Sequence, residues 1–570
     1  MTEKKTPTFR TTVEVVIAYA FLTMALTYPG PLKLMSVFMC GKDDGFVFVW
    51  NLWWVKEALV THHVSPFFTH LLWYPHGTPL YLHPLSVINC LLSVPLQLVF
   101  GLPAAYNVII LHTFFVAALG AFWLSYEITR SRSGAFLAGI VYAFSPYHFS
   151  VAQCQINTAS IHWLPFYALF LLKVRNGGGA RDSFLAGLFL VLTALSCWYY
   201  FVFALAFTIL FVGYHCLSPA GDVSLRVMLR RLIPAFAVTA VILGPLIART
   251  WLEAHTGHYP KGHNSYKFSA DAVSYLTPNF YSIYSPLFSD VGLRFSGGAG
   301  GNGAWPGMAV LALSGLAVWK RPKAAGFWTL SLIVFLSLSL GPVLKIMNTS
   351  SLPIFLPYRW VERLVPGMDM TGNPMRFALM VFFSLSVLVG IGASHIADKV
   401  PSSRRSGLVT LSLAMIISLS YLPRPFTQES PSVVPDSIRE VLAIVRADSR
   451  EGAILNCPSE AYSSMPMYLQ TIHCKPIIAE GYLARPRLDL RNGLAASPNV
   501  EALTKNDLRN VRIDRRQLLA ELGARRILYL VTLTRDHRRL IEDQVGMNPL
   551  CTAGEMAVYE VEMGKEKISD

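Results

Sequence analysis

Charge is what this sequence has least of. Of its 570 residues, 14% are Asp, Glu, Lys or Arg and 53% are hydrophobic; ordinary soluble domains carry charge at about a quarter of their positions. A water-soluble globule of this length is therefore excluded. The eight cysteines include no CxxC pair, so the usual zinc and dithiol spacings are missing and no redox compartment is fixed. Bridges among Cys457, Cys474 and Cys551 stay open. Neither histidine-rich stretch, 62–76 or 255–263, has the HExxH pattern of a metalloenzyme, and no structural or catalytic metal is expected from them. The glycine run at 297–303 lacks the Lys-Ser/Thr ending of a phosphate loop, which argues against nucleotide binding. There is no internal repeat.

What fills the chain instead is apolar runs. Stretches long enough to cross the hydrocarbon core, which takes about 17–25 residues, recur from Thr11 to Leu422. The spans fall near 11–28, 105–127, 134–148, 158–174, 183–198, 199–217, 232–250, 305–319, 325–342, 376–397 and 407–422. The net charge of +14 then reads as topology rather than nucleic-acid binding, because Lys and Arg cluster in short loops that stay in the cytoplasm. Lys4, Lys5 and Arg10 place the N-terminus there. No cleavable leader is evident, and the first span reads as a retained anchor. The clusters at Arg130, Lys173, Arg230, Lys320 and Arg404 then all fall inside, provided that the short segment 85–100, with Pro95 and a closing Gly101, is re-entrant or interfacial.

The expected architecture is an all-α polytopic membrane domain, residues 1–425, of about eleven transmembrane helices. A small extracytoplasmic α/β domain, residues 435–570, follows, where charges become frequent and strand-like AILNC, PIIAE, ILYLVT and MAVYEV alternate with helical stretches. Outer loops cover 30–84, 251–304 and 343–375, with a short one at 148–157. The setting is the cytoplasmic (inner) membrane, with the C-terminal domain outside.

Two adjacent acids, Asp43 and Asp44, follow the first span. The pattern from Phe46 to Leu59 predicts an aromatic helix with Phe46, Val49, Trp50, Trp53 and Trp54 on one arc, lying in the membrane interface and capped by Asp43 or Asp44. A carboxylate fixed there can serve as a cap, take a proton from a hydroxyl, or hold a metal. The tyrosines of the 251–304 loop, Tyr266 among them, can stack on sugar faces or sit as interfacial anchors.

The runs DDGFVFVWNLWWVKEAL, SPFFTHLLWYPHGTPLYLHP, AFSPYHFSVAQCQINTASIHWLPF and LPYRWVERLVPGMDMTGNPMRFALM resemble polytopic bacterial glycosyltransferases of the GT-C fold class. The resemblance covers about residues 10–420. It implies that Asp44 or Asp43 is the catalytic carboxylate and that the donor is a polyprenyl-phosphate-linked sugar. The acceptor would be a glycan, lipid or protein, and membrane lipids, but no nucleic acid, are the other partners. Many relatives carry an acid in the second outer loop, often for a metal. This chain has His148, Gln153, Gln155 and Asn157 there, which makes a divalent metal ion doubtful as a cofactor and leaves His148, Gln153 and Asn157 to meet substrate. A departing phosphate needs fixed cationic donors, and Arg359 and Arg376 are placed to supply them. Direct displacement would invert the sugar. The alternatives are a transporter or lipid flippase, and a non-catalytic envelope assembly protein.

Overall fold

A computed structural model describes residues 9–217, 223–259, 262–292, 294–295, 304–348, 354–365, 372–400, 402–458, 464–478, 489, 497–505, 507–509 and 511–561, without the side chains of Lys42 and Asp43. The glycine run, Lys4 and Lys5 lie outside them, as do the side chains of Phe9, Arg10, Thr11 and Ser403. The membrane part comprises α1 (Phe9–Leu26), α2 (Lys42–Lys56), α3 (Val87–Thr129), α4 (Arg132–Ala143), α5 (Pro146–Ala152), α6 (Ile156–Ala159), α7 (Leu164–Arg175), α8 (Ala180–Ser196), α9 (Trp198–Leu217) and α10 (Leu225–Ala254). After the long loop come α11 (Met308–Lys320), α12 (Pro322–Ser339), α13 (Tyr358–Leu364), α14 (Ala378–Lys399) and α15 (Ser403–Ser420). A helix stands at each expected span. Among the described residues, six helical segments are long and apolar enough to cross a membrane: 87–129, 132–152, 198–216, 225–254, 322–339 and 374–399.

Helix α14 is the hub. Every residue from Ala378 to Ser394 is buried, so its all-round hydrophobicity is that of a helix surrounded by others. Small residues let its neighbours close in: a Cβ on Gly134 of α4 would stand 2.2 Å from Gly390 O, and one on Gly390 would stand 2.1 Å from Ser125 Oγ of α3. Contact between backbones is how apolar helices associate where no hydrophobic drive separates protein from lipid.

Gly101, with φ 83° and ψ 171°, breaks α3. The part before it, 87–100, rises about 21 Å at 1.5 Å per residue, less than the roughly 30 Å of a hydrocarbon core. Its start is tied to the end of α8 and to the residue that follows α6. Ser86 Oγ donates to Ser196 O at 2.9 Å and Asn89 Nδ2 to Ser160 Oγ at 2.6 Å. Beyond the kink, Asn107 Nδ2 donates to Leu34 O and Val37 O at 2.8 and 2.7 Å while its Oδ1 accepts from Met39 N at 2.7 Å. One buried amide thus pins the loop that leads into α2.

Helix α2 is not interfacial. Phe46 to Val55 are all buried, on every face, because α3 covers one side and the C-terminal part covers the other. That part holds α16 (Asp436–Ala447), α17 (Met465–His473), α18 (Pro498–Thr504), α19 (Arg515–Ala524) and α20 (Arg535–Leu540) around a four-stranded sheet. With β1 (Phe68–Thr69) and β2 (Thr78–Pro79) forming a small pair in the first loop, the sheet strands are β3 (Ala453–Cys457), β4 (Ile527–Thr532), β5 (Cys551–Ala553) and β6 (Met556–Glu560), in the order β3-β4-β6-β5. β3 and β4 are parallel and wholly buried, with Leu455 opposite Leu530; β6 returns antiparallel to both β4 and β5. The expected strand PIIAE contributes one bridge, Ile454 to Ile477, and its last two residues lie outside the described ones.

None of the eight cysteines is in a disulfide. Two strands separate Cys457 from Cys551, about 14 Å at 4.8 Å per strand, which is beyond the reach of a bridge.

Helix α17 docks on α2 through stacked rings, Phe46 on Tyr468 with centroids 4.4 Å apart. Trp50 Nε1 donates to Gln470 Oε1 at 2.7 Å, and Gln470 Nε2 donates onward to Leu71 O at 2.7 Å and Lys475 O at 3.0 Å.

Candidate functional site

Gly41, not an aspartate, is the N-cap of α2, in extended conformation and with no side-chain cap bond. The expected capping role is therefore corrected: Asp44 is the third helical residue, one turn in, where an acid complements the exposed N–H groups of the first turn. Asp43 precedes it on the helix, and its side chain lies outside the described ones.

From there Asp44 meets the second loop. Gln155 Nε2 donates to Asp44 Oδ2 at 2.5 Å. The same amide's Oε1 accepts from Thr158 Oγ1 at 3.0 Å and faces Arg376 Nη2 at 3.5 Å, the outer limit of a hydrogen bond. Gln155 thus stands between the carboxylate of the first loop and the guanidinium that precedes α14. The two charges are no more than about 8 Å apart, the sum of the two approaches and the width of an amide.

Arg376 is placed by its surroundings. It lies in the single 3-10 turn Pro374–Phe377 that leads into α14, with its Cζ 3.9 Å from the centre of the Tyr199 ring at the start of α9. That stacking uses the flat face of the guanidinium and leaves its edge for hydrogen bonds. Nη1 is buried and has no hydrogen-bond partner among the described residues, and so does Asn157 Oδ1 two residues past Gln155. Such orphaned groups cost roughly 1–3 kcal/mol each and mark places where a polar ligand or water belongs. Tyr147 and Tyr200 have their hydroxyls 3.0 Å apart, and Tyr200 donates to Thr158 O, next to the segment of Asn157.

The other expected residues are positioned differently. His148 is fully buried, its ring held between Ala143 O at 2.6 Å and Ala159 O at 2.8 Å, so it fastens the ends of the 143–159 segment to each other. Gln153 accepts from Gly41 N on its carbonyl at 2.7 Å and from Thr427 N on Oε1 at 2.9 Å; it joins the α2 entry to the strand-like link before the C-terminal part. Arg359, on α13, stacks on Phe355 at 3.9 Å. Tyr266 is exposed, with its ring 5.3 Å from Lys345 Nζ and its carbonyl accepting from that ammonium at 2.9 Å. The described contacts bring neither Arg359 nor Tyr266 to Gln155. Lys345 itself ties the 251–304 loop to the 343–375 loop, donating also to Ser269 O at 3.0 Å, and burial pulls its pKa down to about 8 against the pull of Asp271.

Gln155 had no assigned role in the sequence, and an amide in a polar run carries no signal of its own. Among the described residues, no group of three or more His, Cys, Asp or Glu side chains is placed to hold a metal ion.

No family model matches the sequence, and no curated protein matches it. Solved structures do. The arabinofuranosyltransferase AftD from Mycobacteria superposes with a TM-score of 0.63 at 14% identity, over 98% of this chain and 40% of AftD. The oligosaccharyltransferase of Archaeoglobus fulgidus gives 0.52 at 13% identity, over 91% of this chain and 69% of that one. ArnT from Cupriavidus metallidurans gives 0.50 at 12% identity, over 97% and 98%. The chain thus spans two-fifths of the length of AftD. What these likenesses share is the fold, the GT-C fold of integral-membrane proteins.

Proposed function

We propose that this GT-C-fold chain is an integral-membrane glycosyltransferase, moving a sugar from a polyprenyl-phosphate-linked donor to an acceptor hydroxyl on the outer side of the cytoplasmic membrane. The observation that carries the reading is that Asp44 and Arg376, far apart in sequence, reach the two ends of one amide, Gln155. Transfer from a sugar phosphate needs a base at the attacking oxygen and a cation at the departing one, and this pair supplies both on either side of one amide. The names of the fold neighbours, an arabinofuranosyltransferase and an oligosaccharyltransferase, agree with it.

In this mechanism Asp44 accepts the proton of the acceptor hydroxyl through Oδ1, its Oδ2 being held by Gln155. The acceptor oxygen forms its bond to the anomeric carbon as the bond from that carbon to the phosphate oxygen breaks. The charge left on the phosphate meets the Arg376 edge, where Nη1 is an unused donor. Attack opposite the leaving group inverts the sugar. Asn157 is the second buried group offered to substrate, while Arg359 and Tyr266 belong to outer loops that would meet the donor head group or the acceptor. His148 and Gln153 position the segment.

The test is sugar transfer by the purified protein in lipid nanodiscs, offered a panel of polyprenyl-phosphate sugars. The proposal expects transfer by the wild type and its loss in Asp44→Asn and Arg376→Ala at unchanged thermal stability. Transfer by a folded Asp44→Asn variant at the wild-type rate would overturn the assignment of the base.

A further inference from the structure

Cys40 and Cys154 flank the contact that joins the first loop to the second. Gly41 N donates to Gln153 O at 2.7 Å; Cys40 is the residue before that donor and Cys154 the residue after that acceptor. A Cβ on Gly41 would lie 3.3 Å from Cys154 Sγ, and Cys40 Sγ rests against Gly45, in the first turn of α2 beside Asp44. Backbone dimensions then limit the two Cα atoms to no more than about 8 Å apart, next to the roughly 4.4–6.8 Å that a disulfide takes.

We propose that Cys40 and Cys154 form a reversible disulfide that staples the entry of α2 to the segment carrying Gln155. The oxidant is a disulfide-bearing dithiol partner or a small-molecule disulfide. Cys154, the less buried of the two, attacks it as a thiolate and releases one partner sulfur as a thiolate. Cys40 then attacks Cys154 Sγ and releases the second. The two cysteine thiols give up two electrons and two protons, which leave as two partner thiols. Burial pushes the Cys40 thiol up, which makes it the resolving rather than the attacking sulfur. Bridging fixes the two Cα atoms at the roughly 4.4–6.8 Å of a disulfide and so shifts the Gln155 segment from the position in which it serves Asp44, which slows turnover; this consequence rests on the transferase reading, whereas the bridge itself does not.

The experiment uses the full-length protein in membranes, treated with oxidised glutathione or with dithiothreitol, alkylated, digested without reduction and mapped by mass spectrometry. The expected result is a linked peptide holding Cys40 and Cys154, two hydrogens lighter than its parts, in the oxidised sample alone. In Cys154→Ser that peptide is gone and Cys40 is recovered alkylated. Complete alkylation of both cysteines after oxidation, or pairing of either with another cysteine, overturns the bridge. In parallel, sugar transfer should fall several-fold on oxidation, recover with dithiothreitol and stay constant in Cys154→Ser. A rate indifferent to a mapped bridge overturns the control of turnover. Absence of transfer by the reduced wild type counts against the transferase and leaves the peptide result standing.

Discussion

At the scale of single residues, Asp44 and Arg376 fail in different ways when changed. Asp44→Asn keeps the size and the contact with Gln155 but removes the base, and general-base catalysis contributes on the order of 10²–10⁴-fold; the turnover number should drop by that factor with donor affinity little altered. Arg376→Lys keeps the charge but loses the planar stack on Tyr199 and the second donor edge. Its loss, about 1.5–3 kcal/mol for a charge-assisted contact, is expected as a tenfold or greater fall in transfer, partly recovered with higher donor concentration. Steady-state kinetics on matched nanodiscs separates the two. Both residues were legible in the sequence, because an acid pair or an arginine at the end of an apolar span is an expensive placement that stands out. Gln155 was not, since its meaning comes only from what the fold sets on either side of it. A third residue makes a pH prediction. His83 Nε2 lies 2.7 Å from Asn51 Oδ1, so Nε2 carries the proton, and buried Nδ1 has no partner among the described residues. Burial pulls the pKa of His83 down to about 3 from 6.5. Between those values the unfolded chain takes up a proton that the folded one refuses, so the stability is full above pH 6.5 and falls as the pH drops toward 3, by about 1.4 kcal/mol per unit. In His83→Gln this component is gone, and the fall in unfolding temperature from pH 7 to pH 5 should be smaller than in the wild type.

At the scale of elements, α2 shows where reading by pattern stops. Picking Phe46, Val49, Trp50, Trp53 and Trp54 gave an aromatic arc, and an arc implies an interfacial helix. The positions between them, Val47, Phe48, Leu52 and Val55, are equally apolar, and all are buried. A helix that is apolar all round is enclosed by protein or lipid. Half of what encloses this one comes from residues more than four hundred positions later, which no local pattern can announce. Gln470 is the joint. Replacing it with alanine leaves the Trp50 N–H buried without an acceptor and takes the donor away from Leu71 O and Lys475 O. Roughly 2–4 kcal/mol of destabilisation is expected from those orphaned groups, read as a lower unfolding temperature and as earlier proteolytic release of the C-terminal part. Trp50→Phe, which removes the donor together with the need for an acceptor, should cost less. Equal losses in the two variants would mean that the ring packing, and not the amide, holds the joint.

At the scale of the whole molecule, the chain divides by composition near residue 430, yet the structure does not divide there. The sheet and its helices could be read from alternating strand and helix patterns, and β3, β4 and β6 lie where those patterns put them. Their docking could not. Ile477 N donates to Leu71 O at 2.8 Å and accepts back from Tyr74 N onto its carbonyl at 3.1 Å, while Phe38 and Glu429 exchange both of their backbone bonds at 2.7 and 2.9 Å. These links run between the first loop and the C-terminal part on both sides of α2, so the helix bearing Asp44 is built from both ends of the sequence. A chain ended before Asp436 would keep every candidate span but uncover Phe46 and Trp50, two large rings that rest on Tyr468 and Gln470 and now have no exposed surface. Each buries about 150–250 Å², and at about 25 cal/mol per Å² their exposure removes on the order of 10 kcal/mol, comparable to the whole stability of a domain. The truncated protein is therefore expected to insert into membranes but to elute as an aggregate from size-exclusion chromatography in detergent. Adding residues 430–570 back in trans should restore a single peak only where Tyr468 and Gln470 are intact. A monodisperse truncated protein would show that α2 is held by the membrane helices alone.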